Sequence, residues 1–88
     1  MKKGKATVKN ERGIHARPSG EIAKEALKYK SKISINFQGK TANAKDVIQL
    51  IILEMLKGAV VEIVAEGEDE EAAFNAIKEL IEKEYIFD

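Results

Sequence analysis

One short stretch of the chain holds the residues best suited to chemistry. It reads Arg12-Gly13-Ile14-His15-Ala16-Arg17-Pro18 and contains the only histidine and the only proline of the sequence. A neutral imidazole is a nucleophile near pH 7. The guanidinium of Arg17, two residues later, can bind phosphate oxygens through paired, charge-assisted hydrogen bonds. This spacing favours transient attachment of a phosphoryl group to His15.

Pro18 predicts where this stretch lies in the fold. Proline is tolerated only in the first turn of a helix, so a helix should run from about residue 16 to about residue 29, with His15 at its N-cap or first position. The backbone N–H groups of Ala16 and Arg17 and the positive end of the helix dipole would then favour an anion beside the ring and disfavour imidazolium. Ile14 can anchor the loop by inserting into the core. A lone histidine at a helix start is also often an incidental cap, so the local pattern leaves both interpretations open.

Other chemistries find little support in the sequence. It has no cysteine and no second histidine to complete a metal site. It also lacks a Walker loop, a dinucleotide fingerprint and a G-x-S-x-G motif. We therefore expect neither a metal nor a cofactor.

Length and composition indicate one globular domain spanning residues 1–88. The chain has 88 residues, of which 44% are apolar and 34% charged, too few for two cores but typical of one folded domain. Its longest apolar run, residues 47–53, is interrupted by Gln49 and is far short of the ~20 residues that cross a bilayer. We expect no membrane insertion, and a cytoplasmic location is the default.

The net charge of zero conceals a strong separation along the sequence. Residues 1–45 carry twelve basic and three acidic residues, whereas residues 46–88 carry three basic and twelve acidic ones. Such a split is typical of a basic arm for nucleic acid, or of a basic face for an acidic protein. The basic residues are dispersed, and the first half has only two aromatic residues, Tyr29 and Phe37. We therefore expect a protein partner and no nucleic acid.

Hydrophobic periodicity predicts seven elements in the order βαββαβα. Strands are expected over residues 2–9, 33–37, 40–43 and 60–65, and helices over residues 16–29, 46–55 and 70–84. Each strand alternates apolar and polar side chains, so one sheet face should be buried and the other solvated. The fold class is α+β: a two-layer, open-faced β-sandwich with a four-stranded antiparallel sheet and three helices on one face. The pattern does not place the apolar tail, residues 85–88.

The second predicted helix is apolar on more sides than one contact requires. Leu50 and Leu53 can face the core, and two neighbours, Ile52 and Met55, can join them there. That arrangement leaves Val47, Ile48 and Ile51 on a different side, where they would form an exposed docking patch. The alternative is that all of these side chains pack inward.

The stretch Gly13–Pro18 resembles the active-site signature of the HPr family, the histidine-containing phosphocarriers of the bacterial phosphoenolpyruvate:sugar phosphotransferase system. The likeness continues through Gly39-Lys40, Lys45, Gly58 and residues 65–70. It implies that His15 receives on Nδ1 a phosphoryl group from enzyme I, which takes it from phosphoenolpyruvate. His15 then passes the group to enzyme IIA components for sugar uptake and phosphorylation, while Arg17 steadies the phosphate.

The resemblance also implies a carrier that is a substrate of its partners and not an enzyme. Such a protein is a monomer that meets its partners transiently through the second helix.

Two residues depart from the family pattern. Asp46 stands where many relatives carry a regulatory serine, and a carboxylate cannot be phosphorylated in that way. Helix capping explains Asp46 fully, although its fixed charge could also partly imitate phosphoserine. Glu54 stands where the family usually has glycine and could alter docking. These departures leave open an alternative: an HPr-like regulatory protein that binds a transcription factor, a kinase or a metabolic enzyme.

Overall fold

The computed structural model describes residues 1–84, and the tail at residues 85–88 lies outside the described part. The described chain forms seven elements in the predicted order: β1 (Lys2–Thr7), α1 (Ala16–Ala26), β2 (Lys32–Phe37), β3 (Lys40–Asn43), α2 (Val47–Ile52), β4 (Val60–Glu66) and α3 (Glu70–Ile81). Within residues 1–84, no helix combines the length and apolarity needed to span a bilayer.

The four strands form one antiparallel sheet in the order β1-β4-β2-β3. The strands alternate as expected, because Ile35 pairs with Ile63 on β4 and with Ala42 on β3, and all three are buried. The neighbouring positions Ser34 and Glu62 are only half-buried. The sheet therefore has one apolar face beneath the helices and one polar face, which confirms the open-faced α+β architecture.

The helices close the apolar face of the sheet. The helix α3 packs on β4 and β1, α1 packs against α3 and α2, and α2 contacts β3. Aliphatic side chains fill the space between the layers, and burying each contributes about 1.5–3 kcal/mol. The largest of them from the helices are Ile22, Leu50, Ile77 and Ile81.

Acidic side chains tie the ends of α3 to the sheet. The carboxylate of Asp69 accepts hydrogen bonds from the Ser31 hydroxyl and from the backbone N–H groups of Lys30 and Ser31. These bonds, the Ser31 hydroxyl foremost, lower the pKa of Asp69. At the other end, the N–H of Thr7 donates to the Glu82 carboxylate and lowers its pKa. Both contacts favour the ionised acids.

Ion pairs bring the basic and acidic halves of the sequence together. The N-terminal ammonium group lies 2.7 Å from Glu70 and Lys2 lies 3.7 Å from Glu71, which joins β1 to α3. A third pair, Lys57–Glu11 at 3.2 Å, also joins the halves, but here the basic residue comes from the acidic half and the acidic residue from the basic half. The separation along the sequence is therefore not a separation in space.

Three helices and one strand are shorter than the sequence predicted. The strand β1 ends at Thr7 and α1 at Ala26, and α3 ends at Ile81. The helix α2 was expected over residues 46–55 but covers only Val47–Ile52. Glu54 adopts a left-handed backbone with φ of 53°. A helix cannot continue through that conformation, so the chain turns there.

Candidate functional site

His15 is the N-cap residue of α1, as the position of Pro18 predicted. Its backbone is extended, with φ −99° and ψ −158°, and its carbonyl accepts the first helical hydrogen bond from Ser19 N–H at 2.9 Å. The imidazole does not cap the N–H groups of the first turn. The residue is half-buried, and its Nε2 atom is shielded from solvent. The imidazole ring therefore belongs to the residue at the positive end of the helix dipole.

The loop before His15 is fixed by backbone contacts with the segment that follows α2. Ile14 is buried in the core, and its N–H donates to the Met55 carbonyl at 2.7 Å. Gly13 has a φ of 72°, and a Cβ atom there would lie 2.5 Å from the Met55 carbonyl oxygen. Only glycine permits both the left-handed backbone and this close approach.

Further hydrogen bonds extend the same contact toward β1. Val8 N–H donates to the Ala59 carbonyl, and Gly58 N–H donates to the Val8 carbonyl, each at 2.8 Å. These bonds continue the pairing of the two chain segments beyond the end of β1. We call residues 55–59 the support segment, because its backbone holds the residues leading to the histidine. No pattern of side chains in the sequence signals such a contact, and the prediction missed it.

Arg17 and the N–H groups predicted to bind an anion lie in the first turn of α1. Ala16 and Arg17 are both exposed to solvent, whereas Pro18 is buried. Backbone N–H groups at this position of a helix point toward the cap residue, because no preceding turn supplies carbonyls for them. The structure therefore places the guanidinium-bearing residue and both amides on the turn that His15 begins.

The exposed apolar surface of α2 differs in part from the prediction. Ile48 and Ile51 are exposed, at 64% and 37%, as expected. Val47 was expected to be exposed with them, but it is half-buried and packs against the core. Ile52, expected to face inward, is 59% exposed, and Leu56 is 68% exposed. We name Ile48, Ile51, Ile52 and Leu56 the apolar patch; it lies on α2 and the support segment.

Asp46 is the N-cap of α2. Its carboxylate accepts hydrogen bonds from the N–H groups of Ile48 at 3.0 Å and Gln49 at 3.3 Å. The Gln49 side-chain amide donates to the other carboxylate oxygen at 3.2 Å. Such a cap stabilises a helix by about 1 kcal/mol. The structure therefore contains the helix cap that the sequence predicted for Asp46.

Within residues 1–84, no group of three or more histidine, cysteine or acidic residues is arranged to hold a metal ion. The candidate site comprises an imidazole at a helix N-terminus, an arginine in the first turn and backbone amides. A family model described as "PTS HPr component phosphorylation site" matches residues 2–83. The chain belongs to the HPr family.

Individual relatives agree with this family assignment. The phosphocarrier protein HPr of Mycoplasma pneumoniae is 44% identical over 87 residues, which is 98% of this chain and 99% of the relative. The crystal structure of HPr from Thermoanaerobacter tengcongensis superposes with a TM-score of 0.87 at 38% identity, covering 92% of this chain and 91% of that one.

A further similar structure is Crh, the catabolite repression protein of Bacillus subtilis, which forms an intertwined, swapped dimer. It has a TM-score of 0.77 and 30% identity, and the match covers 99% of this chain and all of Crh.

The family assignment makes the chain a phosphocarrier of the phosphotransferase system and not a catalytic enzyme.

Proposed function

We propose that His15 accepts a phosphoryl group from enzyme I, which obtains it from phosphoenolpyruvate, and passes it to enzyme IIA components. The observation that carries this proposal is the placement of His15 at the N-cap of α1, in a loop held by the Ile14–Met55 hydrogen bond. A helix N-terminus stabilises an anion through its dipole and its N–H groups. That field therefore stabilises the negative charge of a phosphorylated ring.

Nδ1 is the nitrogen we assign as the acceptor. Nε2 is shielded from solvent, which disfavours attack by that nitrogen on an incoming phosphoryl group. The N–H groups of Ala16 and Arg17 then bind phosphoryl oxygens, and the exposed Arg17 guanidinium neutralises the charge that moves between the donor and His15.

The apolar patch is the surface we assign to partner docking. Its four aliphatic side chains are exposed on α2 and the support segment, and α1 packs directly against α2. A partner that covers the patch is therefore held next to the element that His15 begins. Val47, half-buried, contributes from the edge of this surface.

We place the carrier in the cytoplasm as a monomer that binds each partner transiently. Light scattering with size-exclusion chromatography tests the oligomeric state.

The test is phosphorylation by enzyme I with labelled phosphoenolpyruvate. We expect an acid-labile adduct in the wild-type protein and none in His15→Ala. Arg17→Ala should be phosphorylated about 10–100-fold more slowly, since it loses charge-assisted contacts with the transferred group. Arg12→Ala is the matched control, because Arg12 is also an exposed arginine near His15 but lies outside α1. Label that persists in His15→Ala would refute the assignment.

A second candidate function is regulation of a transcription factor, kinase or metabolic enzyme through binding. The similarity to Crh and the carboxylate of Asp46 at the start of α2 favour it. Pull-down with phosphorylated and unphosphorylated protein separates the two functions. Recovery of a regulator in place of any IIA component supports regulation, and loss of that regulator in Asp46→Asn, which keeps the capping oxygen but removes the charge, assigns the recognition to Asp46.

A further inference from the structure

Asn10 is a buried polar residue that the proposed phosphoryl transfer does not use. It lies between β1 and His15 and is 2% exposed. Its side-chain amide Nδ2 donates to the Gly13 carbonyl at 2.7 Å, and its own carbonyl accepts from Gly13 N–H at 2.9 Å. Buried side-chain amides in folded proteins almost always form hydrogen bonds. These two bonds close the loop of residues 10–13 on itself.

The peptide group between Gly13 and Ile14 is held at both of its ends. Its carbonyl oxygen accepts from Asn10, while its N–H donates to Met55 at 2.7 Å. Because a peptide group is planar, two hydrogen bonds on opposite edges determine its orientation. Only the rotations about Ile14 then separate this fixed plane from the backbone of His15. The side chain of Ile14 is itself buried in the core.

We propose that Asn10 is a positioning residue for the phosphoacceptor, acting through the Gly13–Ile14 peptide group; this inference rests on the proposed function of His15. Met55 supplies its half of the clamp through the backbone, so that half is independent of the residue type. Asn10 supplies the other half through its side chain, and an N–H donor is required there. The loss of this donor lets the peptide group rotate and displaces His15 from the position that transfer requires.

The experiment replaces Asn10 with aspartate. In Asn10→Asp the side chain keeps its shape, but an ionised carboxylate has no hydrogen to donate to the Gly13 carbonyl. We expect kcat for phosphorylation by enzyme I to fall by about tenfold while KM stays near the wild-type value, since the apolar patch is untouched. Asn10→Ala should lose a similar factor in kcat. Asn75→Asp, at an exposed position of α3 remote in sequence from the loop, is the control for introducing a carboxylate and should transfer at the wild-type rate.

A second readout does not depend on phosphoryl transfer. In Asn10→Asp, the NMR signals of Gly13, Ile14 and His15 should differ from those of the wild type at neutral pH. They should return toward wild-type positions as the introduced carboxyl group is protonated, because the protonated acid again donates a hydrogen bond. The wild-type signals of Gly13 and Ile14 should show no such transition. Residual folding is checked from the dispersion of the remaining amide signals.

The inference is wrong if Asn10→Asp and Asn10→Ala both transfer at the wild-type rate, or if their defect lies in KM alone. It is equally wrong if the loop signals of Asn10→Asp match the wild type at neutral pH. A failure of the proposed function looks different, because label would then persist in His15→Ala whatever residue stands at position 10.

Discussion

Substitution of Gly13 by alanine adds only one methyl group, but it should lower both the stability of the protein and the rate at which His15 is phosphorylated. The new Cβ atom would lie 2.5 Å from the Met55 carbonyl oxygen and 2.9 Å from the Leu56 Cα atom. Both are backbone atoms, so no side-chain rotation relieves the clash. The loop must move away from the support segment, and the hydrogen bond from Ile14 N–H to the Met55 carbonyl is lost.

The magnitude follows from two contributions to the free energy of unfolding. An alanine at the left-handed φ of Gly13 costs about 1–2 kcal/mol, of which the lower entropy of the unfolded chain returns about 0.4–1 kcal/mol. The loss of a buried hydrogen bond adds about 1–3 kcal/mol. We expect Gly13→Ala to be destabilised by about 2–3 kcal/mol, and phosphorylation of His15 to slow with it.

Gly39→Ala is the matched control for the backbone contribution. Gly39, in the β2–β3 turn, has a φ of 78°, close to the 72° of Gly13, but an added Cβ would meet no atom within 4 Å. It should therefore lose only about 0.5–1 kcal/mol. In a domain of this size, the gap of about 2 kcal/mol corresponds to roughly 10 °C in Tm.

Urea unfolding and thermal melts of the two variants measure this gap directly. Equal stabilities would show that the support segment accommodates the Cβ without losing the hydrogen bond, and would refute the reasoning. A stable Gly13→Ala variant that is phosphorylated at the wild-type rate would also show that His15 does not depend on the contact with Met55.

Three further predictions test other features, the first of them with a control variant. Glu54→Gly relieves a left-handed φ of 53°, so the free energy of unfolding measured with urea should rise by about 0.5–1 kcal/mol. Gln38→Gly, at φ 49°, is the control: its free energy of unfolding should rise by a similar amount, and its phosphoryl transfer should be unchanged. Ser19 is fully buried, and its hydroxyl has no hydrogen-bond partner within residues 1–84, so Ser19→Ala should raise the unfolding free energy by about 1 kcal/mol; a loss would contradict this. The Ser31 hydroxyl lowers the folded pKa of Asp69 below 3.8, so this stabilisation is complete well above pH 3.8 and is lost as the pH falls below it. Asp69→Asn should flatten that acid decline, and an unchanged pH dependence in equilibrium unfolding would remove Asp69 from it.

The order of the elements and the place of His15 could be predicted because local physics determines them. Proline in a first turn fixes a helix start, and alternating strands require one buried face. Asp46 behaves in the same way, since capping involves only residues two and three positions away. These features depend on short-range constraints that a single sequence displays.

The end of α2 and the support segment could not be predicted for the opposite reason. The apolar residues continue to Leu56, so periodicity gives no signal that the helix stops at Ile52. A helix of six residues is also too short for its pattern to decide whether Val47 or Ile52 faces the core. The contact between Ile14 and Met55 uses backbone atoms, which every residue type except proline provides.

The hydrogen bond from Ile14 to Met55 also links the loop before His15 to the folding of the whole domain. His15 leaves the ribosome early, yet its loop is held by a carbonyl about forty residues later in the chain. Closing so long a segment carries an entropic cost that only the assembled sheet and core offset. A chain that ends before residue 55 lacks this carbonyl, so its loop cannot be held as it is in the folded domain.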